Sequence, residues 1–274
     1  MIDFNKIGFM QGRLSPIVNG RIQCFPTKFW KSEFKKAKEL KLKYMEWTLD
    51  YTNFRKNPIF DNKEINSIKV LSKKNKIKIK TLTGDCFMEK PFWKKNDKYL
   101  INDFFNVVNA CKKLKIKKII IPLVDNSSLK NKRDEKKIID FMKKYKNYFK
   151  RAKINILFES DFNPKKLLNF IKKFDNKIFG INYDTGNSAS MGYNPIDEFK
   201  LYGKFIQNIH IKDRFLKGST VRLGTGNVNF EGIFKLIKKI KYNKLLIMQT
   251  ARSKIKKDRD ELKINLNYLK SLNK

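Results

Sequence analysis

The chain has 274 residues, 41% hydrophobic and 32% charged, a length that suits one large core and one domain. No run of about 18 apolar residues occurs, residues 1–6 lack a basic start ahead of an apolar leader core, and Cys24, Cys86 and Cys111 form no CxxC pair. The sequence thus predicts no membrane span, no leader, no disulfide framework and no thiolate metal site, and the formal charge of +37, which comes almost wholly from scattered lysines, predicts solvated faces, not a nucleic-acid partner.

Short apolar runs alternate eight times with longer amphipathic ones, the pattern of βαβ units and a parallel sheet. The first predicted strand covers 6–10 and is followed by Gln11 and Arg13; a helix over 29–40 carries Lys35, Lys36 and Lys38 as solvent-facing charge. The second strand, 43–47, ends in Glu46 and Trp47, and the third, 77–82, runs into Thr83, Gly84 and Asp85. A helix over 101–114, a strand over 118–123, a helix over 135–148 and a strand over 155–159 follow. Asn163 before Pro164 reads as an N-cap and first helical position for a helix over 164–174. Strands over 179–184 and 207–211 come next, then a loop over 212–229, a helix over 230–240 with Lys235, Lys238 and Lys239 on its wet face, and a last strand over 244–249. Several strands are almost entirely apolar, as strands covered on both faces must be.

Eight units in one chain of this length predict a closed α/β fold, a (β/α)8 TIM barrel spanning 1–274. No GxGxxG turn follows the first strand, so a dinucleotide-binding sheet has no support. In such a barrel the chemistry gathers at the C-terminal ends of the strands. The last four strands place Glu159, Asp184, His210 and Gln249 there, and His210 is the only histidine in the chain. Two carboxylates, an imidazole and an amide oxygen suit one divalent metal ion, Mn2+ or Mg2+ by preference and Zn2+ or Co2+ as alternatives.

Other strand-end residues mark where a substrate lies. Trp47 offers an apolar face to a sugar ring, Glu46 and Asp85 can accept hydroxyls, Gln11 adds an amide, and Arg13, Arg214 and Arg252 are candidates for gripping a phosphate or carboxylate. Gly224 and Gly226 read as turn residues after the seventh strand in preference to a phosphate cradle. The surplus positive charge can steer anionic substrates such as sugar phosphates toward the protein.

The segments Phe158-Glu159-Ser160, Tyr183-Asp184-Thr185-Gly186-Asn187, Ile209-His210-Ile211-Lys212-Asp213-Arg214 and Leu223-Gly224-Thr225-Gly226-Asn227-Val228-Asn229-Phe230 resemble, in order, motifs of the xylose-isomerase-like TIM-barrel superfamily, in its group of sugar phosphate isomerases and ketose 3-epimerases. The opening Gly8-Phe9-Met10-Gln11-Gly12-Arg13-Leu14-Ser15-Pro16 is similar to one branch of that group. The resemblance implies a metal-dependent isomerase or epimerase acting on a small-molecule carbohydrate, with or without a phosphate; a homo-oligomer is compatible with it, and the lack of an apolar span or leader core predicts a soluble cytoplasmic protein.

It also implies metal ligands at Glu159, Asp184, His210 and Gln249. The fourth departs from the epimerase pattern, where a glutamate both binds metal and moves a proton. An amide oxygen can bind a metal but Gln249 cannot take a proton, so the base is Glu159 and the returning proton needs another donor: water, Lys212 or Asp213. The resemblance extends to abasic-site endonucleases, but their multi-zinc cluster needs several histidines, and Asn187 stands where one of them is expected. A lyase or hydrolase acting on an oxidised or nucleotide-linked sugar, and a carbohydrate-binding barrel without catalysis, are the alternatives.

Overall fold

The computed structural model describes residues 3–18, 20–95, 97–253 and 257–272; Met1 and Ile2, at the predicted leaderless start, lie outside them. In chain order the elements are β1 (Ile7–Met10), α1 (Trp30–Glu39), β2 (Tyr44–Thr48), α2 (Asn62–Asn75), β3 (Lys78–Thr83), α3 (Asp85–Glu89), α4 (Lys98–Leu114) and β4 (Lys118–Leu123). Then come α5 (Lys132–Lys144), α6 (Lys146–Ala152), β5 (Asn155–Ser160), α7 (Pro164–Ile171), β6 (Phe179–Asp184), α8 (Thr185–Ser190) and α9 (Pro195–Tyr202). The last part holds β7 (Ile206–Ile211), β8 (Asp213–Arg214), β9 (Thr220–Val221), α10 (Phe230–Lys239), β10 (Leu246–Met248) and α11 (Asp258–Ser271).

Eight parallel strands close on themselves in the order β1, β10, β7, β6, β5, β4, β3, β2, with β8 and β9 forming a small antiparallel hairpin beside them. The fold is the TIM barrel predicted, in a single domain. No helix among the described residues is long and apolar enough to cross a membrane.

Alternation along the strands divides the core into two parts. Ile7, Phe9, Met45, Trp47, Ile119, Ile121, Phe158, Ile181, Ile209 and Ile211 join the large apolar layer under the helices. Met10, Leu245 and Ile247 form a separate small cluster that also receives Tyr44. The intervening positions carry the polar groups Glu46, Asn182, Asn208 and His210, which hydrogen-bond one another inside the barrel.

The helices form where the pattern demands. Helix α10 buries Phe230, Ile233, Phe234 and Ile237, spaced by three and four, and starts at Asn229, whose side chain accepts from Gly232 N. Asn163 caps α7 in the same way ahead of Pro164. One predicted helix, 135–148, is two: Tyr145 leaves helical geometry (φ −100°, ψ 11°) and separates α5 from α6. Helices α2, α4 and α6 end on lysines in the left-handed region, Lys76, Lys115 and Lys153, with φ of 58°, 58° and 56°. Glycine is the usual residue there, because it has no Cβ to crowd the next carbonyl.

Candidate metal centre

Strand register sets the site. Asp184 of β6 pairs with His210 of β7, and Ile247 of β10 pairs with His210 on the other side. Glu159 stands at the end of β5, opposite Pro122 of β4. One donor atom each from Glu159, Asp184 and His210 lies within 4.8 Å of the others, and all three side chains are buried.

His210 is held from below. Its Nε2 sits 2.7 Å from Oε1 of Glu46, which also accepts from Thr83 Oγ1 at 2.6 Å, while Oε2 of Glu46 accepts from Asn208. That contact directs the other ring nitrogen, Nδ1, toward Glu159 Oε2 at 3.1 Å and Asp184 Oδ2 at 4.0 Å. Burial disfavours the charged imidazole, but the Glu46 and Glu159 carboxylates outweigh it and push His210 up to about 10.

Glu159 is fixed at both oxygens. Oε1 accepts from Asn187 Nδ2 at 2.8 Å and Oε2 from Asn182 Nδ2 at 2.6 Å. Burial raises its carboxyl, yet His210 and Lys212 together hold it below the usual glutamate value. Asp184 caps α8 through Oδ1 to Asn187 N, and its Oδ2 lies 2.7 Å from Lys212 Nζ. The side chain of Gln249, just past β10, is buried, and its Oε1 has no hydrogen-bond partner among the described residues.

These residues fit a divalent cation. The donors are oxygen-rich, the imidazole presents one nitrogen inward while the other meets a carboxylate, and the partnerless Gln249 Oε1 is the kind of buried polar atom a metal would satisfy. Beside the cluster lies a cavity of about 440 Å3, whose walls include Asp85, Glu159, Asp184, Lys212, Arg214 and Gln249. A larger groove of about 730 Å3, bounded by Phe54, Arg55, Phe60 and Lys113, lies away from these residues.

Several residues expected at the substrate stand elsewhere. Trp47, adjacent to Glu46, must point to the other side of β2; it is buried against Phe25 and Trp30 with Nε1 on Asn57, and offers no face to a sugar. Glu46 itself is fully buried beneath His210 and its oxygens are engaged there. Arg13 bonds Thr250 O, Ile22 O and Gln23, and Arg252 bonds Asp258, Ile22 O and Ser15 O, so both guanidinium groups bind the loops after β1 and β10 together. Gln11 is buried, its Oε1 accepting from Thr48 N.

Asp213, expected as a proton donor, is a loop clamp. Its Oδ2 accepts from Gly224 N and Gly226 N and its Oδ1 from Val228 N. Gly224 has φ +83°, and a Cβ on Gly226 would lie 2.3 Å from Asp213 Oδ1, so this glycine pair makes a turn around a carboxylate. Arg214 lines the cavity while donating to Gly218 O and Asn187 Oδ1.

Sequence reasoning missed Asn182 and Asn208. Each lies two residues before a candidate ligand on the same strand, hence on the same inward face, and that spacing was the available signal. It also missed Glu198, a buried carboxylate at the cavity that accepts from Tyr183, Ser188 and Tyr202 hydroxyls.

Residues 34–272 match the model of the xylose isomerase-like TIM barrel. The chain belongs to that family. Among solved structures it is similar to a xylose isomerase domain protein from Planctomyces limnophilus (16% identity, TM-score 0.73, covering 97% of this chain and 96% of that one). It is also similar to the IOLI protein solved with a binding zinc atom (15%, TM-score 0.73, 98% and 96%). A third likeness is to D-psicose 3-epimerase from Clostridium cellulolyticum H10, solved with D-tagatose (12%, TM-score 0.72, 97% and 99%). At these identities the likeness is one of fold. No curated protein matches the sequence.

Proposed function

We propose that this xylose isomerase-like barrel is a metal-dependent isomerase or epimerase of a sugar or sugar phosphate, working by proton abstraction next to a carbonyl. The observation that carries the reading is the double role of Glu159, which belongs to the metal-donor cluster and also lines the adjoining cavity. Glu159, Asp184, His210 and Gln249 would hold the ion, with Mn2+ or Mg2+ favoured by the oxygen-rich donors and Zn2+ or Co2+ compatible. A bound divalent ion supplies polarisation of the substrate carbonyl and its neighbouring hydroxyl.

The protein's own groups do the rest. Glu159, oriented by Asn182 and Asn187, takes the proton beside the carbonyl. Lys212 balances the charge of Asp184, and Lys212 and Arg214 give the cavity a positive wall for an anionic substituent such as a phosphate. Three free, buried thiols accord with a reducing, cytoplasmic setting.

The test is product analysis on ketoses and their phosphates with Mn2+ added. A new isomer of unchanged mass supports the reading, a product lighter by one water replaces it with a lyase, and no turnover of any member removes it.

A further inference from the structure

We infer that Asp85 is the second proton-transfer group of this site, returning a proton to the carbon from which Glu159 removes one, so that the reaction inverts a single carbon. This rests on the isomerase or epimerase reading above. It narrows that reading to epimerisation.

Position comes first. In the closed order of strands β3 lies directly across the barrel from β7, so Asp85, the first residue past Gly84 at the mouth of β3, faces His210 from the opposite wall. Glu159 on β5 stands two strands away, and both carboxylates line the same cavity. A substrate held in that cavity therefore lies against two carboxylates carried by different strands.

Availability comes second. Asp85 is only 6% exposed, yet its Oδ2 has no hydrogen-bond partner among the described residues. A buried carboxylate oxygen left open on a cavity wall is costly unless something binds there. The alternatives are engaged: Asp213 clamps three backbone N–H groups, Lys212 faces Asp184, and Gln249 cannot carry the proton.

Protonation is consistent with the role. Burial, then the negative charges of Glu159, Asp50 and Glu89, push the Asp85 carboxyl up to about 7, against a side-chain hydrogen bond from Gln23 that acts the other way; the nearby Arg13 cation is coupled to it. In the metal-free protein a share of Asp85 near neutral pH thus holds a proton to give.

The cycle balances. Glu159 carboxylate takes the C–H proton, the C–H electron pair becomes the C=C bond of an enediolate, and the carbonyl π pair moves to oxygen. Asp85 then gives its proton to the opposite face of that carbon, the C=O bond re-forms, and Asp85 is left as carboxylate. Solvent water carries the proton from Glu159 back to Asp85, and no oxidant or reductant is needed.

The experiment incubates wild type, Asp85→Asn, Asp85→Glu and Glu159→Gln with Mn2+ and D-fructose, D-tagatose or their 6-phosphates in D2O, following both epimer formation and deuterium in recovered substrate. Metal content and melting temperature are measured on the same samples. The expected result is that Asp85→Asn keeps wild-type metal content and still exchanges deuterium, but forms epimer about 100-fold or more slowly. Asp85→Glu recovers part of that rate, and Glu159→Gln loses exchange and epimer together. An Asp85→Asn protein that epimerises at the wild-type rate overturns the inference and leaves the functional reading standing. Loss of exchange and epimer together in Asp85→Asn also overturns it, reducing Asp85 to a group that holds substrate. Wild type that exchanges no deuterium with any of these sugars removes the functional reading and the role of Asp85 with it.

Discussion

Glu46 and His210 meet at 2.7 Å in the floor of the site, carboxylate to Nε2, with no exposure to solvent at either side chain. The contact fixes which ring nitrogen points upward. A carboxylate behind a metal-binding imidazole both orients it and makes it a better donor. Glu46→Gln is therefore expected to weaken divalent metal binding by about 10- to 100-fold with the barrel intact, read by chelator competition with Zn2+. Unchanged affinity would mean that the imidazole does not bind metal through Nδ1.

Gln249 brings an oxygen without charge to a set that otherwise holds two carboxylates. Ligand charge tunes affinity for hard cations, so Gln249→Glu should bind Mn2+ about tenfold or more tightly than wild type, and Asp184→Asn correspondingly less. Isothermal titration of the metal-stripped protein measures both. Equal affinities for wild type and Gln249→Glu would place the ion away from β10.

Asp85 gives a stability signature independent of turnover. Its carboxyl is raised in the folded protein from an ordinary 3.8 to about 7, so the folded state binds the proton more tightly than the unfolded chain does. The stability this contributes is complete below the unfolded value and disappears as pH rises through the folded one. Asp85→Asn, which carries no charge at any pH, should accordingly be more stable than wild type at mildly alkaline pH, with the gap closing as pH falls toward 4. Urea titrations of the metal-free proteins across that range decide it; a constant gap would show that Asp85 is not held in its neutral form.

The loop after β7 depends on one carboxylate. Asp213→Ala leaves three backbone donors without their acceptor and is expected to cost about 2–4 kcal/mol, with Gly226→Ala also destabilising because its methyl would strike Asp213. Denaturant midpoints measure both changes. A loss under half a kilocalorie in Asp213→Ala would show that water replaces the clamp at little cost.

Exposed lysines in left-handed geometry run the other way. Lys76, Lys115 and Lys153 each adopt a backbone that glycine takes without steric penalty. Lys115→Gly should stabilise the protein by about 0.5–1 kcal/mol, and the three changes together should be close to additive because they lie on different helices. Thermal melts test it, and a drop in melting temperature would mean that lysine's unfolded-state entropy advantage over glycine dominates.

The barrel was legible because its strands are short, apolar and separated by amphipathic runs; β4 and β6 have the boundaries the pattern predicts, and Glu159, Asp184, His210 and Gln249 come to one end. What periodicity does not carry is which of two adjacent polar or aromatic residues turns inward. Glu46 and Trp47 both read as substrate contacts from sequence, whereas strand alternation sends one into the lumen and the other into the helix layer. Arginines were a further blind spot. Arg13 and Arg252 follow strands, as anion-binding residues would, but each also reaches backbone carbonyls more than 200 residues away in the chain, Thr250 O for Arg13 and Ile22 O and Ser15 O for Arg252, which local sequence does not reveal. The clamp role of Asp213 is hidden from local sequence for the same reason, since it depends on a turn of the loop that brings Gly224, Gly226 and Val228 back over the carboxylate.

Those two arginines tie the first strand's loop to the last strand's loop at the end of the barrel where the metal donors sit. Glu159, Asp184 and His210 come from three neighbouring strands, whereas Gln249 follows β10, the strand that closes the circle against β1. The fourth candidate donor thus shares the seam that the arginines tie, and a defect at the Arg13 and Arg252 latch is expected to be felt as altered metal affinity in residues neither arginine touches.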